Sequence, residues 1–266
     1  MPQERTKGLR KINCKVTGCI VTHNNMSSID ETITTLLEQT KGVPFELYVV
    51  DNLSTDGTPA HIKEKYPRVK VIEPMTNDGF GSGHNVVLPL IDSDYHCVIN
   101  PDIILKDDVI AKMAEYMEKN KDIGLLSPKI CCTDGTTQVL GKRNPKFKYL
   151  FASRLLRDET YSNPLLREYA MLDEDLTVPR EIENASGCFM FFRTELFKKI
   201  GGFDERYFMY FEDCDITRTV RKQAKAVFYP NAVIYHAWAR ESKKNIKLLL
   251  IHIHSMFKYF IKWRKD

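Results

Sequence analysis

Nothing in this chain of 266 residues organises its cysteines into pairs. The seven (Cys14, Cys19, Cys97, Cys131, Cys132, Cys188 and Cys214) show no CxxC spacing, and their odd number fits no disulfide framework, so reduced thiols are expected. No uninterrupted apolar segment reaches the about 20 residues that a bilayer span requires. Met1 to Lys15 is polar and basic and lacks the apolar core of a secretory signal. A cytoplasmic protein is the expectation. Charge of one sign is also scarce: a net +4 is too mild for a nucleic-acid-binding surface, and no nucleic-acid partner is expected. Internal repeats and low-complexity tracts are missing as well. What remains is an ordinary folded composition, 43% hydrophobic and 28% charged, in a chain long enough for one sizeable domain or two small ones.

The first hundred residues alternate strand and helix patterns. Val16–Thr22, Phe45–Val50, Val69–Ile72 and Tyr95–Ile99 read as strands, separated by helical spacing over Ser28–Gln39 and Pro59–Tyr66. Asn77–Gly83 reads as a glycine-rich loop, with Asn85–Leu90 helical after it. Such alternation implies an α/β fold whose sheet is parallel with right-handed crossovers. The second half is less regular. Asp107–Lys119 predicts a helix and Ile123–Ser127 a strand; Gly141–Arg180 is polar, basic and aromatic, with prolines at 145, 164 and 179, and reads as a substrate loop or an insertion. Ser186–Phe192 predicts a strand, Asp213–Gln223 a helix, and Ala226–Tyr229 a last strand ending at Pro230.

Polar clusters sit where the strands end, the place where ligands of open α/β sheets gather. Asp51, with Asn52, Ser54, Thr55, Asp56 and Gly57, could accept hydrogen bonds from a base or ribose, or could be a turn capping the next helix. Asn77-Asp78-Gly79-Phe80-Gly81-Ser82-Gly83-His84-Asn85 could present amides to a diphosphate, or be a flexible loop; it is neither the dinucleotide fingerprint nor a P-loop. Asn100-Pro101-Asp102 sets a carboxylate one residue past a turn-fixing proline, suited to a divalent cation such as Mg2+ or Mn2+ or to a plain β-turn. Glu212-Asp213 could supply a general base for an attacking hydroxyl, and equally suits a helix first turn. His236 could be a second metal ligand, a phosphate donor or a structural histidine.

Taken together, Val21-Thr22-His23-Asn24-Asn25, Val50-Asp51-Asn52 with Asp56-Gly57-Thr58, Asn77 with Gly79-Phe80, Asn100-Pro101-Asp102, Ser186-Gly187, Gly201-Gly202-Phe203-Asp204-Glu205, Glu212-Asp213-Cys214-Asp215 and His236 resemble the family 2 inverting glycosyltransferases of the GT-A fold. The resemblance covers about residues 14–240. It implies a single GT-A domain over 12–240, with a mostly parallel central sheet flanked by helices, a nucleotide-binding half (12–102), an acceptor-binding half (103–240) and a C-terminal helix (241–266). It further implies Asp213 as catalytic base, Glu212 as orienter of the acceptor, and Asp102 with His236 at a Mg2+ or Mn2+ ion. Thr22, Asn24, Asp51, Asn52, Asp56, Gly79, Phe80, Asn85 and Asn100 would line the donor pocket. Asn100 replaces the first acid of the usual DxD element, leaving Asp102 as the main carboxylate. The blocks are similar to those of bacterial rhamnosyltransferases that use dTDP-L-rhamnose in surface-polysaccharide synthesis. UDP-sugar transfer to a glycan or lipid-linked acceptor, and a non-catalytic nucleotide-sugar or glycan binder, are the alternatives. A sugar nucleotidyltransferase would need a triphosphate-binding glycine loop with Arg and Lys, which residues 16–30 lack.

From Lys243 to Asp266 the chain carries seven Lys/Arg and one acid, Asp266. Leu249, Ile253, Met256, Phe260 and Trp263 fall on one helical face, with Lys258, Lys262 and Arg264 beside them. Such a basic amphipathic helix suits an anionic membrane surface at the inner face of the plasma membrane, its own domain, or a second subunit in a homodimer.

Overall fold

The structure, a computed structural model, describes residues 13–156, 161–237 and 246–265. One mixed sheet forms the frame. Strands β1 (Val16–Thr22), β2 (Phe45–Asp51), β3 (Lys70–Ile72) and β4 (Tyr95–Ile99) run parallel in the order β3-β2-β1-β4. All seven residues of β1 are buried, as a central parallel strand covered on both faces requires. Side chains alternate between two cores. Val16, Ile20, Val49, Cys97 and Ile99 face α1 (Ile29–Gln39), α2 (Thr58–Lys65) and α4 (Val109–Lys119). Cys19, Val21, Val50 and Val98 face α7 (Thr194–Lys199) and α8 (Glu212–Val220).

Beyond β4 the strand order turns antiparallel. β8 (Phe189–Arg193) lies between β4 and β6 (Ile123–Cys131), antiparallel to both, and β9 (Lys225–His236) follows parallel to β6. The two short strands β5 (Ile103–Ile104) and β7 (Arg180–Glu181) pair antiparallel with β9. The parallel order thus holds for the amino-terminal half, and the second half mixes directions. β9 runs through Pro230 rather than ending there. Its register against β6 jumps from Pro128↔Tyr229 to Lys129↔Val233, so the proline, which has no N–H to give a ladder, sits in a bulge.

Two expectations shift by a few residues for steric reasons. The glycine-rich stretch is helical, α3 (Phe80–Asn85), and 86–90 is a turn. Gly79 has φ +98°, and a Cβ there would stand 1.9 Å from the Phe208 carbonyl oxygen; a Cβ on Gly83 would lie 2.9 Å from both Val21 methyls. Glycine lets this helix lie directly on the end of β1. Gly141–Arg180, read as a loop or insertion, holds α5 (Phe147–Leu156) and α6 (Pro164–Tyr169). Asn163 caps α6, accepting a bond from Leu165 N–H at 2.9 Å.

The C-terminal helix is α9 (Ile246–Lys262), and it packs on its own domain through Ser255, Tyr259 and Trp263. The expected start of the helix at 241–245 and its last residue, 266, like the polar start of the chain, lie outside the described residues. Asp215, 2% exposed, anchors it: Trp263 Nε1–H donates to its Oδ1 at 2.8 Å and Lys262 Nζ lies 2.7 Å from its Oδ2. Lys258, one of the cations beside the apolar stripe, donates to the Arg206 carbonyl. The Trp263 ring also lies under the Arg218 and Lys222 cations, each 4.6 Å from its centroid.

Breaking a buried ion pair by removing one partner typically costs about 3–5 kcal/mol, because the other charge is left uncompensated. Asp215→Ala is therefore expected to lower the free energy of unfolding by about 3 kcal/mol, read as a shift in the urea midpoint. A shift within error of the wild type would mean that α9 is held by its apolar contacts alone.

Candidate active site

Two loops at the carboxyl ends of β1 and β2 are laced to each other. Thr22 Oγ1 donates to Asp51 Oδ1 at 2.9 Å, and Asp51 Oδ2 accepts the Ser54 N–H at 2.8 Å. Asn24, held at φ +59°, accepts from Thr55 N–H at 2.7 Å, and Asp56 accepts from Met26 N–H at 3.0 Å. Asn52 Nδ2–H donates to the Gly79 carbonyl at 3.0 Å, which joins these loops to the start of α3. Six of the expected donor residues, Thr22, Asn24, Asp51, Asn52, Asp56 and Gly79, therefore belong to one bonded rim.

Asn85 has another set of contacts. Its side chain clamps the Gly202–Glu205 turn, with Nδ2–H donating to the Phe203 carbonyl at 2.8 Å and Oδ1 accepting the Phe203 N–H at 2.9 Å. It also borders an open cavity of about 530 Å³ lined by Asn77, Asp78, Ser82, Glu205 and Arg206, to which Asp102, Glu212 and Asp213 do not contribute. Phe80 lies between the two regions: its ring meets His84 edge-on at 4.6 Å and its Cε1 is 3.6 Å from the Cβ position of Gly187.

The pairing of β4 with β8 brings the two acidic sites to one place. Ile99 faces Phe189, so Asn100 N–H donates to the Cys188 carbonyl at 2.9 Å just past the ladder. One residue earlier, Gly187 N–H donates to Asp213 Oδ2 at 3.1 Å. Burial pushes the Cys188 thiol up to about 12, and the nearby charges of both Asp102 and Asp213 add to the rise. The Gly187–Cys188 segment is thus bonded to Asp213 on one residue and to the Asn100-Pro101-Asp102 turn on the next.

Asp102 meets His236 because β5 pairs with β9 in the register Ile103↔His236. His236 Nε2 lies 3.3 Å from Asp102 Oδ1, an enclosed oxygen to which no hydrogen bond is made. On the other side of the ring, Nδ1 is 3.2 Å from Gln138 Oε1, and Gln138 Nε2–H donates to the His236 carbonyl at 2.8 Å. A carboxylate oxygen and an imidazole nitrogen that converge to 3.3 Å, the ring held from behind, fit a pair of ligands to a divalent cation. Among the described residues no cluster of three or more His, Cys, Asp or Glu gathers, so further ligands would have to come from a bound phosphate and water.

Glu212 and Asp213 open α8 behind two residues in the left-handed region, Tyr210 (φ +70°) and Phe211 (φ +65°). Such conformations are strained for bulky side chains and persist only where packing over-determines them. Here α9 does so: Ser255 Oγ–H donates to the Met209 carbonyl at 2.7 Å, and Phe211 packs against His252 and Tyr259. Asp213 accepts two backbone N–H bonds, from Gly187 and from Cys214 at 2.8 Å, whereas Glu212 Oε2 is buried without a partner. Burial raises both carboxyls, Glu212 to about 8, with the Asp213 charge adding to the rise of Glu212. The two N–H donors favour the charged form of Asp213, whereas Glu212 Oε2 has no such donor and burial favours its neutral form. Both line a second cavity of about 240 Å³, together with Leu150, Tyr169, Tyr210 and His252.

The family model for glycosyl transferase family 2 matches residues 18–201. The chain belongs to that family. Membership makes the protein a glycosyltransferase. Over 217 residues it is 28% identical to the N-acetylglucosaminyl-diphospho-decaprenol L-rhamnosyltransferase of Mycobacterium tuberculosis, covering 76% of this chain and 69% of that one. It is 24% identical over 217 residues to the rhamnosyltransferase WbbL of Escherichia coli, covering 70% and 71%. Among solved structures it is similar to the mannosyltransferase PcManGT of Pyrobaculum calidifontis in complex with GDP-Man and Mn2+, with TM-score 0.66, 19% identity, and coverage of 96% of this chain and 65% of that chain. It is also similar to S. aureus TarS 1–349 in complex with UDP, with TM-score 0.61, 19% identity, and coverage of 89% and 64%. The chain thus spans about two-thirds of these relatives' length, and the solved structures bear out a GT-A fold.

Gln138, Gly187 and Asp215 carry much of this geometry and escape a reading of motifs. Gln138 acts through a side-chain amide in a stretch that no motif marks, and Gly187, although part of the Ser186-Gly187 block, acts through a backbone N–H that any residue type but proline could supply. Asp215 was visible in Glu212-Asp213-Cys214-Asp215, and its position two residues past Asp213 turns it to another side of the helix.

The raised carboxyl of Glu212 makes a prediction with a definite sign. Its folded value exceeds the ordinary 4.5, so native stability is intact below pH 4.5 and is lost as the pH climbs toward 8. Glu212→Gln removes the titration. Its thermal midpoint is expected to match the wild type at pH 4.5 and to exceed it increasingly up to pH 8, on the order of 1 kcal/mol per pH unit. A difference that does not change with pH would place the retained proton elsewhere.

Proposed function

We propose that this protein is an inverting glycosyltransferase of bacterial surface-polysaccharide synthesis, moving a sugar from a nucleotide diphosphate, best matched by dTDP-L-rhamnose, to a hydroxyl of a lipid-linked or glycan acceptor. The observation that carries the reading is that the Gly187–Cys188 segment is bonded to both acidic blocks, Cys188 to Asn100 of Asn100-Pro101-Asp102 and Gly187 to Asp213, with Asp102 beside an imidazole and Asp213 beside a cavity. Similarity to two rhamnosyltransferases supports the donor assignment, and the diphospho-decaprenol in the name of one supports a lipid-linked acceptor. UDP-sugar transfer is the second reading, supported by the likeness to TarS with UDP.

In the proposed reaction the rim of Thr22, Asn24, Asp51, Asn52 and Asp56 holds the base and ribose, and Gly79, Phe80 and Asn100 border the diphosphate and sugar. Asn85 acts at one remove, by fixing the turn that backs α3. Asp213 takes the proton of the acceptor hydroxyl, whose oxygen attacks the anomeric carbon as the bond to the nucleotide diphosphate breaks on the opposite face. Glu212, protonated, donates a hydrogen bond that orients the acceptor. When bound by Asp102 and His236, Mg2+ or Mn2+ supplies charge neutralisation to the departing diphosphate. The amino-terminal half (12–102) would thus serve the donor and the remainder (103–240) the acceptor, in a protein working at the cytoplasmic face of the membrane.

Two experiments test the reading. Donor hydrolysis is measured with dTDP-rhamnose and a panel of UDP-sugars, each with and without Mn2+. Manganese-dependent turnover of dTDP-rhamnose is expected, and Asp102→Asn is expected to lose most of the metal response; turnover of a UDP-sugar alone would shift the assignment to the second reading. Asp213→Asn is expected to reduce transfer by about 10²–10⁴ while donor affinity is kept. Near-normal turnover in that variant would remove Asp213 from the role of base.

A further inference from the structure

The face of α9 that packs inward is not its most apolar exposed one. Ile246, Leu250, Ile253, Phe257 and Ile261 recur at spacings of four and three, so they fall within an arc of roughly 80° at 3.6 residues per turn. All five are exposed, Leu250 and Ile261 by 62% and 63%. Ser255, Tyr259 and Trp263, which dock on the domain, lie on the opposite side of the helix. The stripe expected from sequence (Leu249, Ile253, Met256, Phe260, Trp263) instead lies largely on the flank between the two: Trp263 is buried and Met256 and Phe260 are half-buried.

A second stripe stands next to it. On α5, Phe147, Phe151 and Leu155 are exposed at successive intervals of four residues, Phe151 by 70%. The helices are joined by the stacked rings of Phe147 and Phe260, 4.0 Å apart. The two stripes therefore share one side of the molecule. Soluble proteins rarely expose contiguous apolar surface on this scale without a partner for it.

Charge identifies the partner. Residues 146–156 carry Lys146, Lys148 and Arg154, residues 246–265 carry five further Lys/Arg, and neither segment contains a carboxylate. Lys148 is paired with Glu168 and Lys262 with Asp204 and Asp215, but Lys146, Arg154, Arg264 and Lys265 are exposed around the apolar stripes. Two copies of this face brought together would oppose cation to cation, whereas apolar side chains ringed by cations match an anionic lipid surface. No helix among the described residues is long and apolar enough to cross a membrane, so the fit is to a surface lying in the interface.

The same two helices reach the reaction cavity. Leu150 of α5 and His252 of α9 line the about 240 Å³ space that holds Glu212 and Asp213. We propose that α5 and α9 together form a docking face for an anionic bilayer, setting the mouth of the Glu212–Asp213 cavity at the lipid headgroups, where a lipid-linked acceptor presents its hydroxyl. Its role in the reaction rests on the proposed acceptor class; the docking itself does not.

Vesicle sedimentation tests docking apart from catalysis. The full-length protein is mixed with phosphatidylglycerol/phosphatidylcholine vesicles or with phosphatidylcholine alone, and the pelleted fraction is measured for wild type, Phe151→Ser/Leu155→Ser, Leu250→Ser/Phe257→Ser and Arg154→Glu/Lys265→Glu. Wild type is expected to pellet with the anionic vesicles, and each double variant to bind about tenfold or more weakly with its circular dichroism and thermal midpoint unchanged. The charge-reversal pair keeps the test valid should an apolar pair fail to fold. Wild type that stays in the supernatant, or variants that pellet as well as wild type, would overturn the proposal. So would a wild-type dimer, seen by light scattering without vesicles, that the apolar variants dissociate, since a second copy would then own the face. Donor hydrolysis in vesicle-free buffer should be equal in all four proteins; its loss in all four would count against the proposed reaction while the pellets still decide the docking.

Discussion

One hydrogen bond holds the architecture of the site together, from Asn100 N–H to the Cys188 carbonyl at 2.9 Å. It extends the β4–β8 pairing past its last ladder residue and so fixes where Gly187 stands. Gly187 in turn fixes Asp213 through its own N–H. Because the sheet changes from parallel to antiparallel at this seam, a strand end from the amino-terminal half and a strand start from the second half meet at one edge. A wholly parallel sheet would bring only carboxyl ends there. The mixed topology is what allows the turn that follows one strand and the residues that precede another to be bonded to each other, with Asp213 of α8 held at the second.

Around that seam the structure holds two arrangements that cost stability. Glu212 and Asp213 are buried next to each other, which raises both carboxyls, and the backbone before them takes two left-handed residues in a row. Neither arrangement would survive on local preference. The contacts of α9 with Met209, Phe211 and Asp215 offset the strain, so a helix remote in sequence keeps the acidic pair in position. The same helix, with α5, exposes apolar stripes ringed by cations. The acidic turn and the outer face are thereby mechanically linked: the inner side of α9 holds the turn, and its outer side meets the surroundings.

Much of the amino-terminal half was legible in the residues themselves. The buried runs of β1, β2 and β4 and the amphipathic spacing of α1 and α4 are local properties, and the polar clusters after each strand follow from where such strands end. The glycine stretch was misread as a loop because nothing local announces a helix whose glycines answer to Val21 and Phe208, far away in sequence. Gly141–Arg180 hid α5 and α6 for a similar reason: the outer face of α5 is apolar while Leu150 and Tyr149 point inward, so no clean amphipathic period appears. Pro230 was taken for a strand end, which it would be without the bulge that β6 accommodates.

By itself the order of residues determined the strand–helix alternation, the positions of Asp102, Glu212, Asp213 and His236 at element ends, and the family to which their spacing is similar, because these depend on neighbours along the chain. That Asp102 meets His236, and that Asp213 is bonded beside the end of β4, was decided only by the pairing of β5 with β9 and of β4 with β8. Which carboxyl holds a proton was decided by burial and by the N–H groups of Gly187 and Cys214. Which side of the C-terminal helix faces inward was decided by Asp215, a charge that had to be paired once it was enclosed. Each of these outcomes depends on atoms brought together from distant parts of the chain, and no periodicity in the sequence encodes that proximity.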